Sequence, residues 1–139
     1  MRIIFLVLLV ASLADAKFVR SGDIIVDSSS SLEWQDSITP VEKSWEDAID
    51  YCENLSLSSK NDWRLPNIKE LFSIVDDSKS NPAINSSFIN VISREYWSSS
   101  TTAFSSSNAW YIDFSDGDSS NTFIPKTRGL YVRCVRAGE

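Results

Sequence analysis

The spacing of apolar residues changes several times along the chain, and each change predicts an element. Residues 3–10 are continuously apolar, and Ala11, Leu13 and Ala14 extend the run. Residues 23–35 then read as a hairpin. Ile24, Ile25 and Val26 form a β-branched run, Ser28, Ser29, Ser30 and Ser31 a polar turn, and Leu32-Glu33-Trp34 alternates apolar with polar. From Ser44 the period becomes helical. Trp45, Ala48, Ile49, Cys52 and Leu55 follow the i, i+3, i+4, i+7 rhythm of one buried face. Ser44 is a suitable N-cap, Asp47 three residues on resembles a capping box, and acids in the first turn suit the helix dipole. A second helix is predicted after Asn67, with Glu70 at its N3 position and Ile68, Leu71, Phe72 and Val75 on its apolar face. Pro66 stops that helix from extending backward.

Residues 76–95 are polar and irregular, broken by Asn81-Pro82 and Asn85-Ser86-Ser87. Phe88, Val91 and Ile92 within them predict a short helical turn tucked onto the core. The last third alternates with period two. Strands are expected at 96–101, 109–114, 121–124 and 130–136. Trp110, Ile112 and Phe114 share one face of the second of these, and Asp116-Gly117 marks the hairpin after it. In the last strand Leu130, Val132 and Cys134 lie opposite Tyr131, Arg133 and Val135.

Composition adds a compartment. Met1-Arg2, the apolar run and Ala14-Asp15-Ala16 read as a signal peptide over residues 1–16, leaving a single domain over 17–139 that is secreted or periplasmic. The run is too short to span a bilayer, and no later segment is long enough, so the mature chain is expected not to insert into a membrane. A net charge of −6 argues against nucleic acid and anionic surfaces as partners. The absence of histidine removes the commonest general base and metal ligand. Two cysteines, Cys52 and Cys134, in an exported chain read as one disulfide, with a free reactive thiol as the alternative. Closing a loop of about 80 residues stabilises a fold by roughly 4–5 kcal/mol in the chain-entropy model.

The order of motifs carries a resemblance. Gly22-Asp23-Ile24-Ile25-Val26-Asp27, Leu32-Glu33-Trp34-Gln35, Tyr51-Cys52, Trp63-Arg64-Leu65-Pro66-Asn67, Glu70-Leu71, Tyr96-Trp97-Ser98-Ser99, Ala109-Trp110 and Val132-Arg133-Cys134-Val135-Arg136 follow one another over residues 22–136. The pattern resembles the Lcl C-terminal domain family, named for the Legionella collagen-like adhesin. The resemblance implies a C-type-lectin-like fold, akin to formylglycine-generating enzymes, in which a disulfide joins the first helix to the last strand. The adhesin's domain is associated with trimerisation and glycosaminoglycan binding, and the acidity of this chain speaks against carrying that ligand over. The family usually has glycine in the first hairpin turn, where this chain has serines.

The candidate site residues each have a structural alternative. Arg64 in its half-buried motif needs a carboxylate, and Glu70 is a candidate partner. The five tryptophans read as core, and Tyr111 and Tyr131 as the exposed aromatics available for a ligand. Asp113, Asp116 and Asp118, with Asn121, form either a solvated turn or a Ca²⁺ site. Their spacing is not that of an EF-hand, and the calcium signatures of C-type lectins are absent, so no metal or cofactor is assigned. Without histidine no Ser-His-Asp arrangement exists.

The expected molecule is therefore an α+β, C-type-lectin-like domain. Two helices flank a twisted, mostly antiparallel sheet. The expected function is non-catalytic recognition of a surface glycan or protein, in adhesion, through the loops at 76–95 and 102–108. The rivals are a structural envelope subunit acting as a homo-oligomer, and a hydrolase using two carboxylates.

Overall fold

The computed structural model describes residues 17–120 and 124–138. The expected leader at 1–16 and residues 121–123 of the strand expected at 121–124 lie outside the described residues. The elements run β1 (Phe18–Ser21), β2 (Ile24–Asp27), β3 (Leu32–Gln35), β4 (Glu42–Lys43), α1 (Trp45–Glu53), α2 (Ile68–Phe72), β5 (Glu95–Thr101), β6 (Ala109–Asp113), β7 (Asp118–Ser120), β8 (Leu130–Tyr131) and β9 (Val135–Ala137). The chain is α+β, as its pattern indicates. The strands divide into two sheets where one was expected. One has the order β1-β2-β3-β9 and is antiparallel throughout. The other has the order β4-β8-β5-β6-β7, with β5 and β8 parallel.

Both helices start where their caps place them. The Ser44 side chain accepts from the Asp47 N–H. Asn67 and Glu70 exchange both bonds of a capping box, at 2.8 and 3.0 Å. The hairpin of β2 and β3 closes on a serine in a glycine's conformation. Ser31 has φ 62°, and its N–H reaches Asp27 O at 2.8 Å.

The strand alternation feeds two apolar cores. Tyr96 and its partner Ile112 enter one, with Leu71, Ile74, Trp34 and Phe88. Trp97 enters the other, with Ala48, Cys52, Trp63 and Cys134, and its partner Tyr111 packs against it. β5 thus contacts α2 and α1 while feeding a core on each of its faces.

The strand expected at 130–136 is broken. Val132, Arg133 and Cys134 belong to no strand and carry the chain from one sheet to the other. Their alternation persists across the gap: Val132 and Cys134 are in one core, Val135 in the other, and Arg133 is buried as well. The Cys52–Cys134 disulfide, with Cα atoms 5.4 Å apart, therefore joins α1 to this crossing segment. β1 and β4 escaped the sequence pattern because one is mostly exposed and the other has two residues. Residues 88–92 form no helical turn, although Phe88 is buried as expected.

Candidate functional site

The irregular segment 76–95 is held at many points. Asp76 N–H donates to Ala83 O at 3.1 Å, Asn81 N–H to Ser115 O at 2.9 Å, and Ala83 N–H to Phe114 O at 2.7 Å. Its far end hangs on Asp36, whose side chain is fully buried. That carboxylate accepts from the N–H groups of Ile89 and Asn90, each at 3.0 Å, and from Arg133 Nη1 at 3.1 Å, and it pairs with Arg20. Arg133 Nη2 also donates to Asn90 O at 2.7 Å, and the guanidinium stacks 5.0 Å from the centre of the Phe88 ring. A buried charge needs such partners, and here their effect is to fix a loop.

A groove of about 430 Å³ opens along this segment, lined by Lys79, Ser80, Pro82, Ile84, Asn85, Ser86 and Phe88. Its size falls in the range of small-ligand sites, about 300–1,000 Å³. Ile84 and Phe88 are anchored in the core, where the Phe88 ring packs edge-on against Phe18 and Trp34. The groove is thus apolar in part and rimmed by polar groups. The side chains of Lys79, Ser80 and Ser86 make no hydrogen bond among the described residues. Asn85 uses its Oδ1 to accept the Ser87 N–H at 2.9 Å, which fixes the amide. Asp76, next along the loop, has its carboxyl held below the usual range by hydrogen bonds from Ser78, with a smaller contribution from Lys79.

The neighbouring loop at 102–108 is braced internally. Thr102 Oγ1 bonds Ser105 O at 2.8 Å, Thr102 N–H donates to Asn108 O at 3.1 Å, and Lys126 N–H to Ser107 O at 2.9 Å. This loop carries Phe104, which is 92% exposed. Ile89, on the first loop, is 70% exposed. These residues, rather than the two tyrosines, are the exposed large apolar side chains of the loops. Tyr111 and Tyr131 are each half-buried, the first against one core and the second against the other, with its ring 5.8 Å from that of Tyr96. Trp34, Trp63 and Trp97 are buried, whereas Trp45 and Trp110, expected inside, are only half-buried. Trp45 carries the Lys126 ammonium 3.8 Å from its ring centre.

Arg64 and Glu70 form a two-pronged pair, Nη1 to Oε1 and Nη2 to Oε2, each at 2.7 Å. The hydrogen bonds from Arg64 hold the Glu70 carboxyl below the usual range. Arg64 also pairs through its backbone with Val135, at 2.8 and 2.9 Å, so the loop before α2 is tied to β9. The other arginine of the terminal motif, Arg136, is buried between Glu33 and Asp62, with Nε 2.7 Å from Asp62 Oδ1. Both arginines of the motif therefore work inside the fold. Their acids, Asp36 and Asp62, lie far away in sequence, and nothing in the sequence pairs them.

Asp113 and Asp116 serve the turn. Asp113 Oδ1 accepts from Ser115 N at 2.9 Å and Ser115 Oγ at 2.7 Å, and Asp116 Oδ1 from Asp118 N at 2.9 Å. Glu95 stands opposite Asp113 across β5 and β6, and Asp118 opposite Asp113 across β6 and β7. The three acids thus form a row across three strands. Asn121 lies outside the described residues. Among the described residues no group of three or more His, Cys, Asp or Glu is placed to hold a metal ion. The carboxyls with displaced pKa values, Asp27, Glu70 and Asp76, all move down, the reverse of what a general acid requires. No helix among the described residues is long and apolar enough to cross a membrane.

The chain was compared with known proteins. Curated proteins give no match. A family model, that of the Lcl C-terminal domain, matches residues 23–136, from the turn between β1 and β2 to the buried Arg136. On that match, the chain belongs to the Lcl C-terminal domain family.

Proposed function

We propose that this chain is an exported, non-catalytic recognition domain of C-type-lectin-like type, and that its ligand, a glycan at a cell surface, seats in the groove at residues 79–88. The observation that carries this reading is the groove itself. It has apolar residues set in the core, a polar rim with unused donors, and a loop backbone fixed by the buried Asp36. A site pre-shaped in this way loses little entropy when a ligand binds. Export is supported by the leader-like residues 1–16 and by the disulfide. Family membership is consistent with an adhesin-related role.

The test is a glycan array probed with the oxidised protein, with and without calcium, beside a Ser80→Trp variant that fills the groove. Selective binding lost in the variant supports the reading. Binding that needs calcium returns Asp113, Asp116 and Asp118 to the site. A blank array from folded protein contradicts a glycan ligand. It moves the function to a protein partner, a second reading favoured by Phe104 and Ile89, exposed on braced loops.

A further inference from the structure

The groove's lining narrows the class of sugar, an inference that rests on the recognition reading above. Of its seven lining residues, three are apolar (Pro82, Ile84 and Phe88), three carry a hydroxyl or amide (Ser80, Asn85 and Ser86), and one is the cation Lys79. No carboxylate lines it, although the chain as a whole has a net charge of −6. Lys79 is the one charged residue of the lining, and Asp76 and Asp77 precede it in the same loop, so the loop carries no net positive charge to select an anion. A plain hexose can lay only its ring C–H face on an apolar surface and offers hydroxyls around its rim. An acetamido substituent has both a methyl group and an amide, with one donor and one acceptor. Asn85 can answer that amide, because its Oδ1 is fixed by the Ser87 N–H and its Nδ2 makes no bond among the described residues.

We propose that the groove binds an uncharged N-acetylhexosamine unit of a glycan. The acetamido methyl rests on Pro82, Ile84 and Phe88, and the acetamido group pairs with the Asn85 side chain. The ring hydroxyls meet Ser80, Ser86 and Lys79. No calcium is required.

Saturation-transfer NMR on the purified, oxidised protein tests this with chitotriose and cellotriose, which differ by the acetamido group. The expected result is saturation of chitotriose, strongest at the acetamido methyl, with none for cellotriose. Asn85→Ala should weaken chitotriose binding at least tenfold by titration calorimetry. Ser80→Trp, at an exposed position, should abolish it with an unchanged circular dichroism spectrum. Equal saturation of the two sugars, or none of either, overturns the proposal. If chitotriose fails while another glycan binds on the array and is lost in Ser80→Trp, the assignment of the sugar is wrong and the recognition reading stands. If no glycan binds, both fall.

Discussion

Two arginines, Arg64 and Arg133, each hold a carboxylate and solve different problems. Arg64 is 42% exposed at its side chain, so its pair with Glu70 is screened by water and is worth less than its geometry suggests. It still satisfies Glu70, which in turn caps α2. Arg64→Ala should cost about 1 kcal/mol and lower the melting temperature by roughly 3–5 °C. An unchanged melting temperature would assign Arg64 to the surface instead. Arg133 is different, because it is buried with Asp36. Asp36→Ala leaves the buried Arg133 guanidinium without a carboxylate and should cost about 3–5 kcal/mol by denaturant midpoint, whereas Arg133→Ala leaves Asp36 paired with Arg20 and should cost less.

Acid should weaken the fold in a defined direction. Glu70 is lowered by its bonds from Arg64. Burial pushes the Asp27 carboxyl up, but the Ser29 bonds and the Lys17 charge outweigh it, and its pKa is also lowered. Both acids bind protons more weakly folded than unfolded. Their stabilisation is complete above the unfolded pKa, near 4, and is lost as pH falls through the lower folded values. Urea midpoints measured downward from pH 7 should therefore drop below about pH 4, and Glu70→Gln should flatten part of that drop. A midpoint that rises on acidification contradicts the assignment.

At the scale of elements, the β2–β3 hairpin and the carboxylate row each carry a removable cost. Ser31 sits at φ 62°, where a side chain is costly and glycine is not. Ser31→Gly should stabilise by about 0.5–1 kcal/mol, seen as a higher denaturant midpoint. A lower midpoint would mean that the serine side chain holds the turn. Glu95, Asp113 and Asp118 repel across β5, β6 and β7. Asp118→Asn should raise stability by roughly 0.5 kcal/mol at low ionic strength, and the gain should shrink in 1 M salt. A salt-independent gain would point to turn geometry instead of charge.

The helices were legible because their signals are local: Ser44 and Asn67 each cap within three residues. The crossing segment was not. Leu130, Val132 and Cys134 keep their alternation through a stretch that has left one sheet and not yet joined the next, so period alone reads one strand. The irregular backbone between α2 and β5 is legible in the polar stretch 76–95, but the groove within it is built from Pro82, Ile84 and Phe88, and the anchoring of Phe88 depends on Trp34 and Phe18, distant in sequence. Tyr111 and Tyr131 are half-buried because both faces of their sheet feed a core, which alternation along one strand does not reveal.

For the whole molecule, the disulfide and the Asp36 cluster act together. Cys134 exchanges backbone and side-chain bonds with Gln35 at 3.0 and 3.1 Å, next to Asp36 and Arg133. The bond that closes the chain thus borders the cluster that fixes the loop backbone at Ile89 and Asn90. Replacing both cysteines with alanine should cost roughly 4–5 kcal/mol, read from the denaturant midpoint, and should loosen residues 85–92. The central claim is that this loop is where the ligand sits. Amide chemical shifts followed while the best-binding glycan is added to the oxidised protein test it most directly. The account predicts that the largest changes cluster at residues 79–88, with little change at Tyr111, Tyr131 or Asp116. Changes centred on those three residues, with 79–88 silent, would contradict it.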